Sequence, residues 1–420
     1  MRDPAIKKRE AVMCAFLALF VFQNGLERIS PAFSHVDELP ALLAVLYLAT
    51  HPGSLRRLRH VDRGIVLALI FFAAAGLAGN VVYRYQTPRL AAIDFLTNFK
   101  FVLAVFISKQ YLTESALRYR AVPKLASALS SALFGLFLFD RVFGIFPGEY
   151  RYGIRSNTLF FDHPTYLAGA CVFLIGVMTL YDCRRYGWPI AFNLIMLAFT
   201  LRGKAIAGAA CYVLLYIVIV RMHSRLKVWQ ILLVAAVAVA IAWNQIYFYY
   251  FRLAGASARS VMLSTSFRIV RDYFPIGTGF GTYASHSAAV NYSPVYTKYG
   301  FELVYELRRS AEGTFFDDHF WPIILGQTGA IGTACYLFCL YRMFRKAQRV
   351  RKADVRAYFA GLFLFMYLLI ASVAEPAFNN SIAVPMACVI GFAFRLGEDA
   401  GQDRRQDTEQ AVPMLPPPSA

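Results

Sequence analysis

Long apolar runs return along the whole of this chain, and nothing else constrains its fold so strongly. About 20 apolar residues cross the hydrocarbon of a bilayer as a helix, because only a helix satisfies its own backbone groups there. The candidate spans are Ala11–Gln23, Leu39–Thr50, Gly64–Tyr83, Ala92–Tyr111, Val122–Phe143, Tyr166–Tyr181, Trp188–Leu201, Ala205–Val220, Val228–Phe248, Phe320–Phe344, Tyr358–Val373 and Ile382–Phe394. The first, second and last are short against a bilayer, so the expectation is ten to twelve spans. The expected fold class is all-α, a polytopic membrane protein. Composition agrees, with 58% hydrophobic residues, 16% charged and 37 phenylalanines. A soluble chain of this length carries more charge.

The formal net charge of +18 raises the question of nucleic acid, but the basic residues sit in places that answer it. They cluster in "RDPAIKKRE", "LRRLRHVDR", "RMHSRLK" and "YRMFRKAQRVRKADVR", all on one side of the alternating spans. By the positive-inside rule that side is the cytoplasm, with both termini on it. The basic excess reads as topology signal and phospholipid contact, and no nucleic-acid partner is expected. The first apolar run lacks a small-residue cleavage site and reads as a retained span.

The same alternation puts the long segment Tyr249–Asp318, between spans nine and ten, outside. It reads as short amphipathic helices on the outer face, without a large core of its own. Residues 1–398 form a single transmembrane domain that includes this loop. Residues 399–420, poor in apolar side chains and ending in prolines, read as a disordered cytoplasmic tail. The seven cysteines lie in or beside spans, so neither a disulfide framework nor a cysteine metal site is expected.

Several titratable groups gather on the outer face. "EYRYGIRSNTLFFDHPTYLAG" carries Arg151, Arg155 and His163 before Pro164, and "FTLRGKAIAG" is a tight hairpin bearing Arg202 and Lys204. "SARSVMLSTSFRIVRDYFPIGTGFGTY" carries Arg259, Arg268 and Arg271, and "FFDDHFWPIILGQTGAIG" carries Asp317, Asp318 and His319 at the mouth of a span. Each has a plain reading beside the functional one. Arg202 and Lys204 could snorkel to headgroups, Arg268 and Arg271 could be lipid-surface charges, and His163 could simply open a helix. "GTGFGTY" has the wrong spacing for a dinucleotide fingerprint and reads as a turn. Lys100, inside a span, calls for a structural ion pair with Asp94 or Asp140.

Arginine forks suit phosphate oxygens, and a neutral histidine can take a proton from a hydroxyl. A lipid pyrophosphate carrying a sugar needs both, and it needs no nucleotide, metal or other cofactor if arginines neutralise it. Here the chain resembles the O-antigen ligase and lipid-linked polysaccharide polymerase superfamily, bacterial inner-membrane glycosyltransferases of the GT-C type, over about Arg151–Tyr336. "RSNTLFFDHPTYLAG" resembles that family's arginine and His-Pro stretch. "FTLRGKAIAG" is similar to its Ser-Arg-Gly hairpin, with Leu201 in the serine's place and Arg202 matching the arginine. Arg259 and the Pro275 to Gly281 stretch resemble its arginine, helix and Pro-x-Gly-x-Gly pattern. Gly329 and Gly332 resemble its Gly-x-x-Gly helix. Counting back from Gly329, the family histidine falls on Asp318, with His319 in the asparagine's place.

The resemblance implies a polymerase joining polyprenyl-pyrophosphate-linked glycan units outside the cytoplasmic membrane. Its partners would be that glycan, membrane lipids and other polysaccharide-assembly proteins. Arg202 and Arg259 would hold the pyrophosphate with Arg155 assisting, His163 and Lys204 would be auxiliary, and His319 or Asp318 would be the base. The alternatives are a ligase delivering the glycan to lipid A core or another acceptor, a transporter or flippase, and a membrane scaffold.

Overall fold

The computed structural model describes residues 4–51, 53, 60–112, 116–117, 119–224, 247–253, 255–309, 315–317 and 319–410, with isolated positions between 229 and 243. Helix α1 covers Pro4–Glu27, and a 3-10 segment Pro31–Glu38 leads into α2, Leu39–Thr50. Then come α3 (His60–Tyr83), α4 (Pro88–Tyr111), α5 (Ala121–Phe143), α6 (Pro164–Asp182), α7 (Gly187–Phe199) and α8 (Gly203–Tyr216). After residue 255 follow α9 (Ala258–Asp272), the short α10 (His286–Val290) and α11 (Pro294–Lys298), then α12 (Phe320–Val350), α13 (Val355–Ala371) and α14 (Ala383–Gln410). Among the described residues the only strands are β1 (Tyr150–Arg151) and β2 (Ile154–Arg155), an antiparallel hairpin.

Among the described residues, eight segments are long and apolar enough to cross a membrane: Ile6–Glu27, Pro31–Thr50, Arg63–Tyr83, Pro88–Tyr111, Ala121–Phe143, Pro164–Asp182, Gly203–Arg221 and Phe320–Val350. That is the make-up of a multi-pass membrane protein. The first two expected spans, short by apolar count, gain length from polar ends that continue the helices. Conversely α7, with 13 residues, and α13, with 17, fall short of a bilayer's thickness. The ninth expected span, Val228–Phe248, lies mostly outside the described residues. Helix α14 runs to Gln410, so the tail expected to be disordered from 399 begins inside a helix; residues 411–420 lie outside the described residues.

Contacts identify the two ends of the helix bundle. At one end Arg28 after α1 pairs with Asp162 before α6. There, too, the Asn157 N–H donates to the Phe199 carbonyl at the end of α7 (2.8 Å). At the opposite end Lys109 of α4 and Lys346 of α12 both pair with Glu398 of α14 (2.9 and 2.6 Å). We call these the loop end and the basic end. Lys100 does form a structural ion pair, but with Asp37 (2.5 Å) rather than the expected Asp94 or Asp140. Asp94 is taken up instead by the Gly281 N–H (3.0 Å), and Asp140 by Arg155 (2.7 Å).

The long loop departs most from expectation. It has a small core of its own, in which Tyr283, Tyr296, Phe301 and Leu307 are fully buried against Met262 and Ile269 of α9. Part of it also drops into the helix bundle. Helix α12 is broken at Gly329 (φ 60°, ψ −155°), and the Pro275–Gly281 stretch fills the break. Thr278 N–H donates to the Gly326 carbonyl (3.0 Å), Gly279 N–H to Gln327 (2.9 Å), and Ile331 N–H to Pro275 (3.2 Å). The Asn80 side chain holds both backbone groups of Phe280 (2.8 and 2.9 Å). The glycines are needed for close approach: a methyl on Gly277 would sit 2.5 Å from the Gly329 nitrogen. The two glycine motifs noted in the sequence thus face each other.

Candidate functional site

The loop end carries the polar cluster. His163 is the N-cap of α6, its Nδ1 accepting from the Thr165 N–H (3.2 Å), and Pro164 starts the helix where no donor is wasted. Arg202 sits at the N-cap position of α8, after a turn in which Leu201 adopts a left-handed φ of 54°. A leucine there costs strain, and it aims Arg202 back across the hairpin. Arg259 lies in the first turn of α9, capped by Ser257. His319 is the N-cap of α12, only 4% exposed, with Nε2 3.3 Å from the Tyr250 hydroxyl.

Arg202 Nη2 approaches His163 Nε2 at 3.0 Å and the Glu149 carboxylate at 3.3 Å. The contact with His163 has a built-in conflict. A neutral imidazole accepts at one nitrogen only. With Nδ1 accepting from Thr165, Nε2 carries the proton and faces a guanidinium that can only donate. The other tautomer moves the same conflict to Thr165. Arg202 Nε is buried without a hydrogen-bond partner as well, as are both side-chain atoms of Asn157 and Oε1 of Glu375. Glu149 takes up only one guanidinium nitrogen of Arg202, so an oxyanion here would satisfy the buried Arg202 Nε and the His163 Nε2–H, although not the acceptor oxygens of Asn157 and Glu375.

The charges around this point reinforce that reading. Burial, then the charges of Arg202 and Lys204, hold His163 down to about 4. Burial, then Arg259, holds His319 down to about 3. Arg202 is itself lowered, by burial and then by Arg151, with Arg259 also in reach. Arg202 and Arg259 both act on Lys204, whose ammonium is paired with the buried Glu375. Both histidines are therefore neutral near pH 7, inside a field of arginines.

The fold thus gathers His163, Arg202, Lys204, Arg259 and His319 from four separate stretches of sequence. It does not bring Arg155 to them. That guanidinium donates to the Asp140 carboxylate and carbonyl (both 2.7 Å) and to the Phe146 carbonyl (3.0 Å), locking the turn after α5. Asp318 lies outside the described residues, while Asp317 is within electrostatic reach of Tyr166, on the same side as Glu375. Arg268, expected at a lipid surface, stands over the Tyr299 ring at 5.1 Å. Three participants were missed from sequence: Glu149, Tyr250 and Glu375. Glu375 was legible, being the lone carboxylate in the apolar "ASVAEPAF" and the natural counter-ion for a lysine in an apolar hairpin. Glu149 and Tyr250 carry no local signal.

No family model matches the chain, and no curated protein matches it.

Proposed function

We propose that this protein is a polysaccharide polymerase of the bacterial cytoplasmic membrane. It would join polyprenyl-pyrophosphate-linked oligosaccharide units on the outer face, as its motif resemblance to the O-antigen ligase and polymerase superfamily implies. The scheme takes ten to twelve spans, both termini in the cytoplasm and Tyr249–Asp318 outside, so that the polar cluster meets a lipid-anchored donor at the outer rim. The observation that carries it is the Arg202–His163 contact, a pair of donors with a buried, unpartnered guanidinium nitrogen beside it.

In this scheme the donor pyrophosphate bridges Arg202 and Arg259, and the neutral His163 gives it an Nε2–H bond. An acceptor hydroxyl attacks the anomeric carbon of the donor sugar. The bond from that carbon to the pyrophosphate oxygen breaks, and its electron pair leaves on the pyrophosphate, whose charge the arginines stabilise. The hydroxyl proton passes to His319 or Asp318. At a pKa of about 3 His319 is a weak base. An anion bound at Arg259 offsets one cause of that depression, so the base strengthens when the donor is in place. Lys204 remains with Glu375, and Arg155 with Asp140.

Lysine substitution separates this reading from headgroup snorkelling. Arg202→Lys keeps the charge and loses the fork, and loss of one charge-assisted bond, about 1.5–3 kcal/mol, slows transfer about ten- to a hundredfold. Cells carrying it should accumulate lipid-linked single units with normal amounts of protein in the membrane. Wild-type chain lengths would remove the clamp from the scheme, and long chains retained on the polyprenyl carrier would point to a ligase instead.

A further inference from the structure

A second feature lies at the basic end, away from the cluster described above. An apolar groove of ≈ 330 Å³ runs between α2, α3, α4, α12 and α14. Its walls are hydrocarbon, including Ala73, Phe95 and Val102, and its lining includes Lys109, in the last turn of α4, and Lys346. Both lysines are nearly buried, at 7% and 6% exposure, and both reach the Glu398 carboxylate (2.9 and 2.6 Å). Lys346 also stands over the Phe394 ring at 5.2 Å. Arg342 lies beside them, its guanidinium 3.4 Å from where a methyl on Gly64 would be.

We infer that this groove is a binding site for one anionic phospholipid, with its phosphate at Lys109 and Lys346 and an acyl chain along the groove. Three observations select that occupant. The lining is apolar along its length and charged at one end only, where two lysines share the Glu398 carboxylate, two positive charges against one negative, which is the polarity an anionic phospholipid complements and a soluble ligand does not. Lys109 stands in the last turn of α4, and Phe95 lies fourteen residues earlier on the same helix, about 21 Å away. One leaflet's hydrocarbon is about 15 Å deep, so a chain anchored at Lys109 has a wall for its full length. The two lysines also belong to the basic end, where α12 carries Arg342, Arg345, Lys346 and Arg349 in succession. Basic pockets between helices on that side attract acidic headgroups. A second groove, of ≈ 230 Å³ and lined by Phe16, Phe20 and Tyr181 among others, has no cation at its rim and selects nothing.

The test uses the full-length protein purified in detergent, with phosphatidylglycerol, phosphatidylcholine or inorganic phosphate added. Retained lipid is counted by native mass spectrometry, and stability is followed by thermal unfolding. The wild type should retain one phosphatidylglycerol in preference to phosphatidylcholine and unfold later with it, while inorganic phosphate gives no protection. Lys346→Gln should reduce the preference roughly fivefold, the loss of about one basic contact at a membrane surface. Ala73→Phe fills the groove without touching the charges and should abolish retention of the lipid. Equal retention of the two lipids, or protection by inorganic phosphate alone, overturns the site. Unchanged retention in Ala73→Phe does so too, and that variant decides the matter if Lys346→Gln fails to fold.

Discussion

Gly329→Ala is the sharpest test of how the long loop is held in the bundle. At φ 60° and ψ −155°, Gly329 occupies a region that is essentially reserved for glycine, and an alanine there costs about 1–3 kcal/mol in backbone strain alone. The added methyl would also lie 2.4 Å from the Gly277 nitrogen and 2.7 Å from the Pro275 carbonyl oxygen. Both are backbone atoms, so the Pro275–Gly281 stretch must withdraw. Withdrawal strains the hydrogen bonds from Thr278 and Gly279 to α12 and from Ile331 to Pro275, and each buried group left unpaired costs about 1–3 kcal/mol. Strain plus a single lost bond gives about 2–6 kcal/mol. Gly135→Ala is the control, because a methyl at that position in the middle of α5 meets nothing within 4 Å. It should stabilise by about 0.5–1 kcal/mol through helix propensity. Thermal unfolding of the purified proteins should place Gly329→Ala several degrees below the wild type and Gly135→Ala at or above it. Protease added to membranes should cut the 249–318 segment faster in Gly329→Ala. A Gly329→Ala protein as stable and as protected as the wild type would refute the insertion of this loop into the break in α12.

Acidification should destabilise the protein below about pH 6.5. His319 and His163 have folded values of about 3 and about 4, so between those values and 6.5 only the unfolded chain takes up the protons. Stability then falls with pH at up to about 1.4 kcal/mol per pH unit for the nearly buried His319, with a smaller share from half-buried His163. His319→Gln should flatten the acid limb of the unfolding midpoint measured against pH, and an unchanged limb would contradict the burial. Lys204→Met should cost about 3–5 kcal/mol by leaving Glu375 buried and unpaired, and Lys204→Met with Glu375→Leu should recover most of it in chemical unfolding. Arg155→Lys should lower the unfolding midpoint through the Asp140 turn while leaving donor binding intact, the reverse of Arg202→Lys; equal effects of the two on chain growth would put Arg155 back in the site.

What the sequence determined by itself is whatever depends on neighbours along the chain. Apolar runs mark helices that lipid will accept, and alternating basic connections mark their ends. Pro164 after His163 marks a helix start, and the spacing of Arg202 in its hairpin places it at a rim. All of these are set by a few consecutive residues meeting water, lipid or their own backbone. Partner choice is another matter. Lys100 had two plausible carboxylates within reach of sequence logic and took a third, Asp37, because the Pro31–Glu38 segment folds back beside α4. Arg155 and Arg202 look alike in the chain, yet one is spent on Asp140 and the other is left with an unpartnered nitrogen. The loop with Pro275 and Gly277 reads as a surface turn until the break at Gly329 offers its carbonyls. Hydrogen bonds and ion pairs depend on distances of a few ångströms between residues as far apart in sequence as Lys204 and Glu375. Only the packing of the helices fixes those distances, and with them which charges cancel and which remain for a ligand.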